Sequence, residues 1–224
     1  MSGYFAKVFA ILWKDILSEL RTRETASAVL VFSILVIVIF NFAFEPDSDT
    51  IETVAPGILW VAFTFSGVLS LNRTFVLEKE KGCLEGLMLC PVSREVIYWG
   101  KMAASLAFML IVEAIATPVF LILFDLPLFV PELVLVIVLA TVGFVAVGTL
   151  LSALATNTRA RDTLLPILFF PLVVPVIIAA VKASETVLSG GAWDEMSTWL
   201  QVMAAFDVVF LVVPSLVFEF VIEE

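Results

Sequence analysis

The chain has 224 residues, of which 62% are hydrophobic and 15% charged, with a formal net charge of −10, no histidine and two cysteines; its mean hydropathy is +1.13. Soluble domains are about 45–50% apolar and about 25% charged, so water is not the solvent for most of this surface. Twelve dispersed basic residues exclude a nucleic-acid binder, and the lack of His removes the usual imidazole metal ligand, haem axial ligand and general base.

Residues 4–23 place Phe5, Val8, Phe9, Leu12, Ile16 and Leu20 at helical spacing, with Lys7, Lys14, Ser18 and Arg21 opposite. A basic face with Trp13 at its side predicts a helix lying in the membrane interface. It is too long and amphipathic for a cleavable signal. Six apolar stretches follow, at 26–44, 54–71, 102–124, 133–154, 164–181 and 200–222. Each is about the length that crosses roughly 30 Å of hydrocarbon as a helix. No stretch remains for a soluble domain, so residues 1–224 are expected to form one all-α integral membrane domain.

Orientation follows from the basic residues. With a cytosolic N-terminus, Lys7, Lys14, Arg21, Arg23, Arg73, Lys79, Lys81, Arg94, Lys101, Arg159 and Arg161 all lie inside, leaving only Lys182 outside. Six crossings return the C-terminus to the cytosol. Most of the excess acid then lies outside, in Glu45, Asp47, Asp49, Glu52, Asp125, Glu132, Glu185, Asp194 and Glu195. Trp60, Trp99, Trp193 and Trp199 fall near span ends, as interfacial aromatic belts do. Residues 184–198, polar for this chain, are expected to form a short external element, with half-helices dipping into the bundle as one form of it.

The longest inner hydrophilic segment spans residues 74–100. Its charged residues alternate around Leu84, Leu87 and Met88, giving a short amphipathic helix ended by Pro91, after which Ser93 can cap a second helix. A solvated loop and a docking helix both fit; the exposed apolar residues favour a partner surface. Cys83 and Cys90 flank this helix with no zinc spacing and are read as small packed hydrophobes, reduced in the cytosol.

Glu113, midway along the third span, and Asp207, a third of the way into the sixth, place carboxyls where ionisation is costly. They must face the bundle or a cavity. Either they serve a polar pathway or subunit contact, or they are protonated groups hydrogen-bonded to neighbouring helices. Pro166, Pro171 and Pro175 remove three donors from the fifth span, so a kinked or broken helix is expected, acting as a hinge or as a static feature.

The run from Glu78 to Ser93, through Gly82, Leu84-Glu85, Leu87 and Pro91-Val92-Ser93, followed by Gly100-Lys101, resembles the coupling-helix region of ABC-2 type export permeases. Ala55-Pro56-Gly57-Ile58-Leu59-Trp60-Val61-Ala62 and Leu69-Ser70-Leu71-Asn72-Arg73 are similar to one branch, the B subunit of the cytochrome c maturation transporter, or haem exporter protein B. Leu165-Pro166, Val174-Pro175-Val176, Lys14-Asp15 and Glu19-Leu20-Arg21 extend the likeness over nearly the whole chain. The resemblance implies a non-catalytic permease of the cell inner membrane that binds no cofactor itself. It would work with an ABC ATPase subunit that uses ATP, a haem-handling C subunit, a small D subunit and the haem chaperone E protein. Glu78, Glu80, Gly82, Leu84, Glu85, Leu87 and Pro91 would receive the ATPase stroke.

The residues agree that this chain is not the motor. Its only Gly-Lys, Gly100-Lys101, has Glu95 where a phosphate-cradling loop needs Gly and Met102 where it needs Ser or Thr. Three other readings stand beside this one: an ABC-2 permease for a lipid, glycan or drug, an ion-coupled secondary transporter using Glu113 and Asp207, and a passive scaffold. The second usually carries internal repeats with paired broken helices, and no such repeat links the first and last three spans.

Overall fold

The computed structural model describes residues 2–22, 24–44, 51–80, 92–155 and 161–221, all helix apart from short connections. Seven helices lie among these residues: α1 (Ser2–Thr22), α2 (Glu24–Ala43), α3 (Ile51–Glu80), α4 (Arg94–Leu123), α5 (Pro131–Ala155), α6 (Arg161–Leu188) and α7 (Trp193–Val221). Helices α2 to α7 each contain a stretch long and apolar enough to cross a bilayer. Backbone polar groups have no water partner in hydrocarbon, which leaves the helix as the conformation open to such sequences.

Burial ranks the helices. Of the span residues, 72% in α3 and 67% in α5 are buried, against 22% in α2 and 17% in α7, so α3 and α5 form the middle of the bundle and α2 and α7 its flanks. Along α5, Val136, Ala140, Val145, Ala146 and Val147 face the core, where they meet Leu59, Phe63, Phe120, Phe169 and Val173 from α3, α4 and α6. Phe144 and Phe169 meet edge to face at 4.7 Å, a geometry that suits the ring quadrupoles. Single hydrogen bonds pin the frame at intervals: Asn41 Nδ2 to the Leu123 carbonyl at 2.6 Å, Trp60 Nε1 to Ser184 Oγ at 3.0 Å, and Ser152 Oγ to the Leu71 carbonyl at 2.9 Å.

The helices overrun the apolar stretches. Helix α3 continues nine residues beyond the expected end of its span at 71, and the helix expected after Ser93 runs unbroken into the span at 102 as α4. Charge marks where hydrocarbon stops, not where a helix stops. The same effect corrects the reading of residues 184–198: no separate external element forms. Helix α6 runs on to Leu188 and α7 begins at Trp193, joined by a tight turn. Gly190, with φ 67°, takes the left-handed position; its N–H bonds the Val187 carbonyl, and the Gly191 N–H bonds the Thr186 carbonyl at 2.7 Å. Those two bonds form a Schellman end, for which glycine carries no Cβ penalty. Helix α4 closes in the same way, with Asp125 (φ 52°) in the left-handed position.

Helix α6 is also unbroken through its prolines, contrary to a broken-helix reading. Pro171 and Pro175 lie on its exposed side while Phe169, Val173 and Val176 face the core.

Candidate functional site

Among the described residues, buried acidic or basic side chains lie in two places. The first is a joint between α1 and the beginning of α4. Ile11 packs with Val96 and Ile97, flanked by Tyr4, Val8 and Val92, as a small apolar cluster separate from the main core. A Cβ on Gly100 would lie 2.7 Å from the Ile11 Cβ and 3.3 Å from the Val8 carbonyl, so glycine is what lets the two helices approach here. One residue on, the Lys101 side chain is 1% exposed, and its Nζ lies 3.4 Å from Asp15 Oδ2. Lys14 Nζ holds the other oxygen of Asp15 at 3.0 Å. Burial, then the Glu95 carboxylate beside it, raise the Tyr4 phenol above its usual pKa.

Sequence reasoning placed Lys101 on the inner side, at the end of the hydrophilic segment, and gave no sign that its side chain is wholly buried. Only Asp15 and Gly100, both silent in a hydropathy profile, could have signalled the site. Helix α1 then hands over to α2 through Glu19, whose Oε1 accepts the Ala26 N–H at 2.8 Å and satisfies a donor that a helix start leaves open. Ser93 occupies the N-cap of α4 as expected, but its hydroxyl makes no capping bond.

Helix α1 shows three faces where the sequence suggested two. Tyr4, Val8 and Ile11 turn to α4. Phe5, Phe9 and Trp13, at successive turns, are exposed, with the last two rings stacked at 6.3 Å. Lys7, Lys14 and Arg21 occupy the remaining arc. An aromatic stripe beside a basic one is the pattern of a helix lying in the headgroup layer.

The second place is the middle of the bundle. Glu113 is 2% exposed, and Thr141 Oγ1 lies 3.0 and 2.9 Å from its two carboxyl oxygens. The same hydroxyl is 2.7 Å from the Ile137 carbonyl. A threonine hydroxyl has one proton, and the carbonyl can only accept it. When Thr141 donates to Ile137, the proton between Thr141 and Glu113 belongs to the carboxyl, which is therefore neutral. When Thr141 instead donates to Glu113, the carboxyl can be ionised, so the same contacts serve both forms of Glu113.

Asp207 differs. It is 5% exposed, neither carboxyl oxygen has a hydrogen-bond partner among the described residues, and it lies against Gly143 of α5. Thr141 and Gly143 are two residues apart on α5, about 3 Å along its axis and roughly 200° around it. The two carboxyls thus sit at similar depth on opposite sides of one helix, and do not form a pair.

Of the other sequence candidates, Glu78 and Glu80 lie on the backbone of the last turn of α3. Gly82, Leu84, Glu85, Leu87 and Pro91 lie outside the described residues, and Pro166 begins the second turn of α6.

The family model described as CcmB protein matches residues 6–223. The chain is similar to Heme exporter protein B of Paracoccus denitrificans, with 32% identity over 197 residues covering 88% of this chain and 89% of the relative. Heme exporter protein B of Pseudomonas aeruginosa is 30% identical over 186 residues, 83% of each chain. That of Bradyrhizobium diazoefficiens is 31% identical over 185 residues, 81% of this chain and 82% of the relative.

Proposed function

The chain belongs to the CcmB protein family, and from that premise we propose that it is the membrane permease subunit of a haem-exporter ABC system serving cytochrome c maturation. It contributes no catalysis and binds no cofactor itself. ATP is hydrolysed by a separate ABC ATPase subunit docked on the cytosolic segment 74–100, with Glu78, Glu80, Gly82, Leu84, Glu85, Leu87 and Pro91 in the contact. The C and D subunits and the haem chaperone E protein complete the assembly, whose work is haem export or release of the loaded chaperone. Both termini lie in the cytosol and the chain sits in the inner membrane. Pro166, Pro171 and Pro175 are candidate hinge positions.

One structural observation carries this reading. The proposed ATPase contact runs directly into α4, whose first two turns are fastened to α1 by Gly100, Ile11 and the buried Lys101–Asp15 pair. A push on that segment therefore meets two helices acting as one body. Non-directional lipid contacts alone would not transmit such a push.

Affinity purification tests the assignment. A nucleotide-hydrolysing subunit should come with the full chain, and reversing charge at Glu78, Glu80 and Glu85 should weaken that association and c-type cytochrome assembly together. Purification without any ATPase would sink the coupling role. Deletion separates the neighbouring readings: unchanged covalent haem attachment points to a lipid, glycan or drug exporter, and proton-driven uptake by liposomes without ATP points to a secondary transporter.

A further inference from the structure

At the end of the bundle opposite α1, the last turns of α6 and the first turns of α7 enclose an open cleft of about 450 Å³. Three hydroxyls line it, and each spends its only proton on its own helix. Thr186 donates to the Lys182 carbonyl at 3.0 Å, Ser189 to the Glu185 carbonyl at 2.8 Å and Thr198 to the Asp194 carbonyl at 3.2 Å. Only their lone pairs remain for the cleft. Glu185 and Glu195 add carboxylates and Trp199 adds an indole. The one cation, Lys182, is held to Glu185 at 2.8 Å yet remains half exposed, and Glu195 has no ion-pair partner among the described residues.

A surface that accepts many hydrogen bonds and donates few suits a ligand that donates many. Directly below, one turn along each helix, Ile178 and Val202 are 51% and 40% exposed. They continue the same groove with apolar surface, since residues four apart share a helix face. Acceptors above, one lysine at the rim and hydrocarbon below match a lipid whose headgroup carries a primary ammonium next to a phosphate.

We propose that this cleft is a binding site for phosphatidylethanolamine. Its ammonium donates to Glu195 and the hydroxyl oxygens of Thr186 and Thr198 over the Trp199 ring. Its phosphate meets Lys182, and an acyl chain lies along Ile178 and Val202. The inference rests on the six-span membrane reading and is independent of the transport assignment.

Native mass spectrometry of the detergent-solubilised full chain, titrated with lipids of identical acyl chains, tests it. Phosphatidylethanolamine should bind roughly tenfold more tightly than phosphatidylcholine, whose quaternary ammonium cannot donate. Phosphatidylglycerol, which has no ammonium, should bind no better than phosphatidylcholine. Glu195→Gln, at an exposed position, should abolish the preference without moving the thermal midpoint. Equal binding of phosphatidylcholine would mean that shape and cation–π contact suffice and would overturn the proposal. So would a preference for phosphatidylglycerol, which reads Lys182 alone, or an undiminished preference in Glu195→Gln. If the preference is absent and the cleft instead cross-links to a lysine of a copurifying protein, the site belongs to a protein partner and the lipid proposal fails.

Discussion

Charge is buried in two ways in this molecule, and the two regions divide by depth. At the α1–α4 joint, a lysine side chain 1% exposed is retained beside a carboxylate that is itself 18% exposed. In the middle of the bundle, Glu113 faces a hydroxyl and Asp207 faces no hydrogen-bond partner among the described residues. An ion survives burial when an opposite charge and nearby water share its cost. Deeper in, where neither is at hand, ionisation costs more, and a carboxyl is least costly there as a neutral group. The joint thus adds a buried ion pair to its apolar cluster, whereas the bundle is held by shape with a few hydrogen bonds.

The largest expected effect is at the joint. Asp15→Ala takes a carboxylate away from a buried ammonium and should destabilise the chain by about 3 kcal/mol, read as a lowered thermal midpoint in detergent. Asp15→Ala combined with Lys101→Met should recover a large part of that loss, because a neutral thioether makes no claim on the missing partner. An additive double mutant would break the comparison by showing that the two residues are not coupled.

Next comes Thr141→Val. It removes the group that satisfies Glu113 and should cost about 1–3 kcal/mol, whereas Glu113→Gln should change stability by less than about 0.5 kcal/mol, since an amide N–H can replace the carboxyl proton toward Thr141. If Glu113→Gln costs as much as Thr141→Val, Glu113 is ionised and Thr141 donates to it. The remaining expectation concerns Asp207. With no hydrogen bond to lose, Asp207→Ala should be neutral or stabilising by about 1 kcal/mol. Retained stability with lost cytochrome c assembly would mark Asp207 as a group kept for work and not for folding.

Much of the fold was legible because hydrocarbon is an undemanding solvent to predict for: six apolar runs and an amphipathic first helix are visible in composition and spacing alone. Helix ends were less legible. A helix after Ser93 was legible from its cap position, but not its unbroken continuation through the charged residues at 94–101 into the third span, which a helix tolerates wherever a neighbour or the headgroup layer can take the charge. Within α1, hydropathy cannot tell Ile11, which packs on Val96 and Ile97, from Phe9, which faces outward. That distinction needs the partner helix, 86 residues away for the Lys101–Asp15 contact.

The carboxyls show the same limit. Glu113 and Asp207 stood out individually, but Thr141 and Gly143 did not, because an apolar helix contains several Thr and Gly and nothing local says which one a carboxyl will meet. The family itself was legible in short runs such as 55–62, which lie on the most buried span.

The tight turn at Ser189 to Ala192 has a mechanical consequence. With their ends tied by so few residues, α6 and α7 cannot part at that end, and any separation must take the form of tweezers that open at the opposite tip. Helix α6 has 28 residues, roughly 42 Å of arm at about 1.5 Å per residue. A pivot of about 5° would carry its far end on the order of 4 Å. The fold thus confines wide excursions of this hairpin to the side on which α1 lies, and leaves the knot at the other end nearly still.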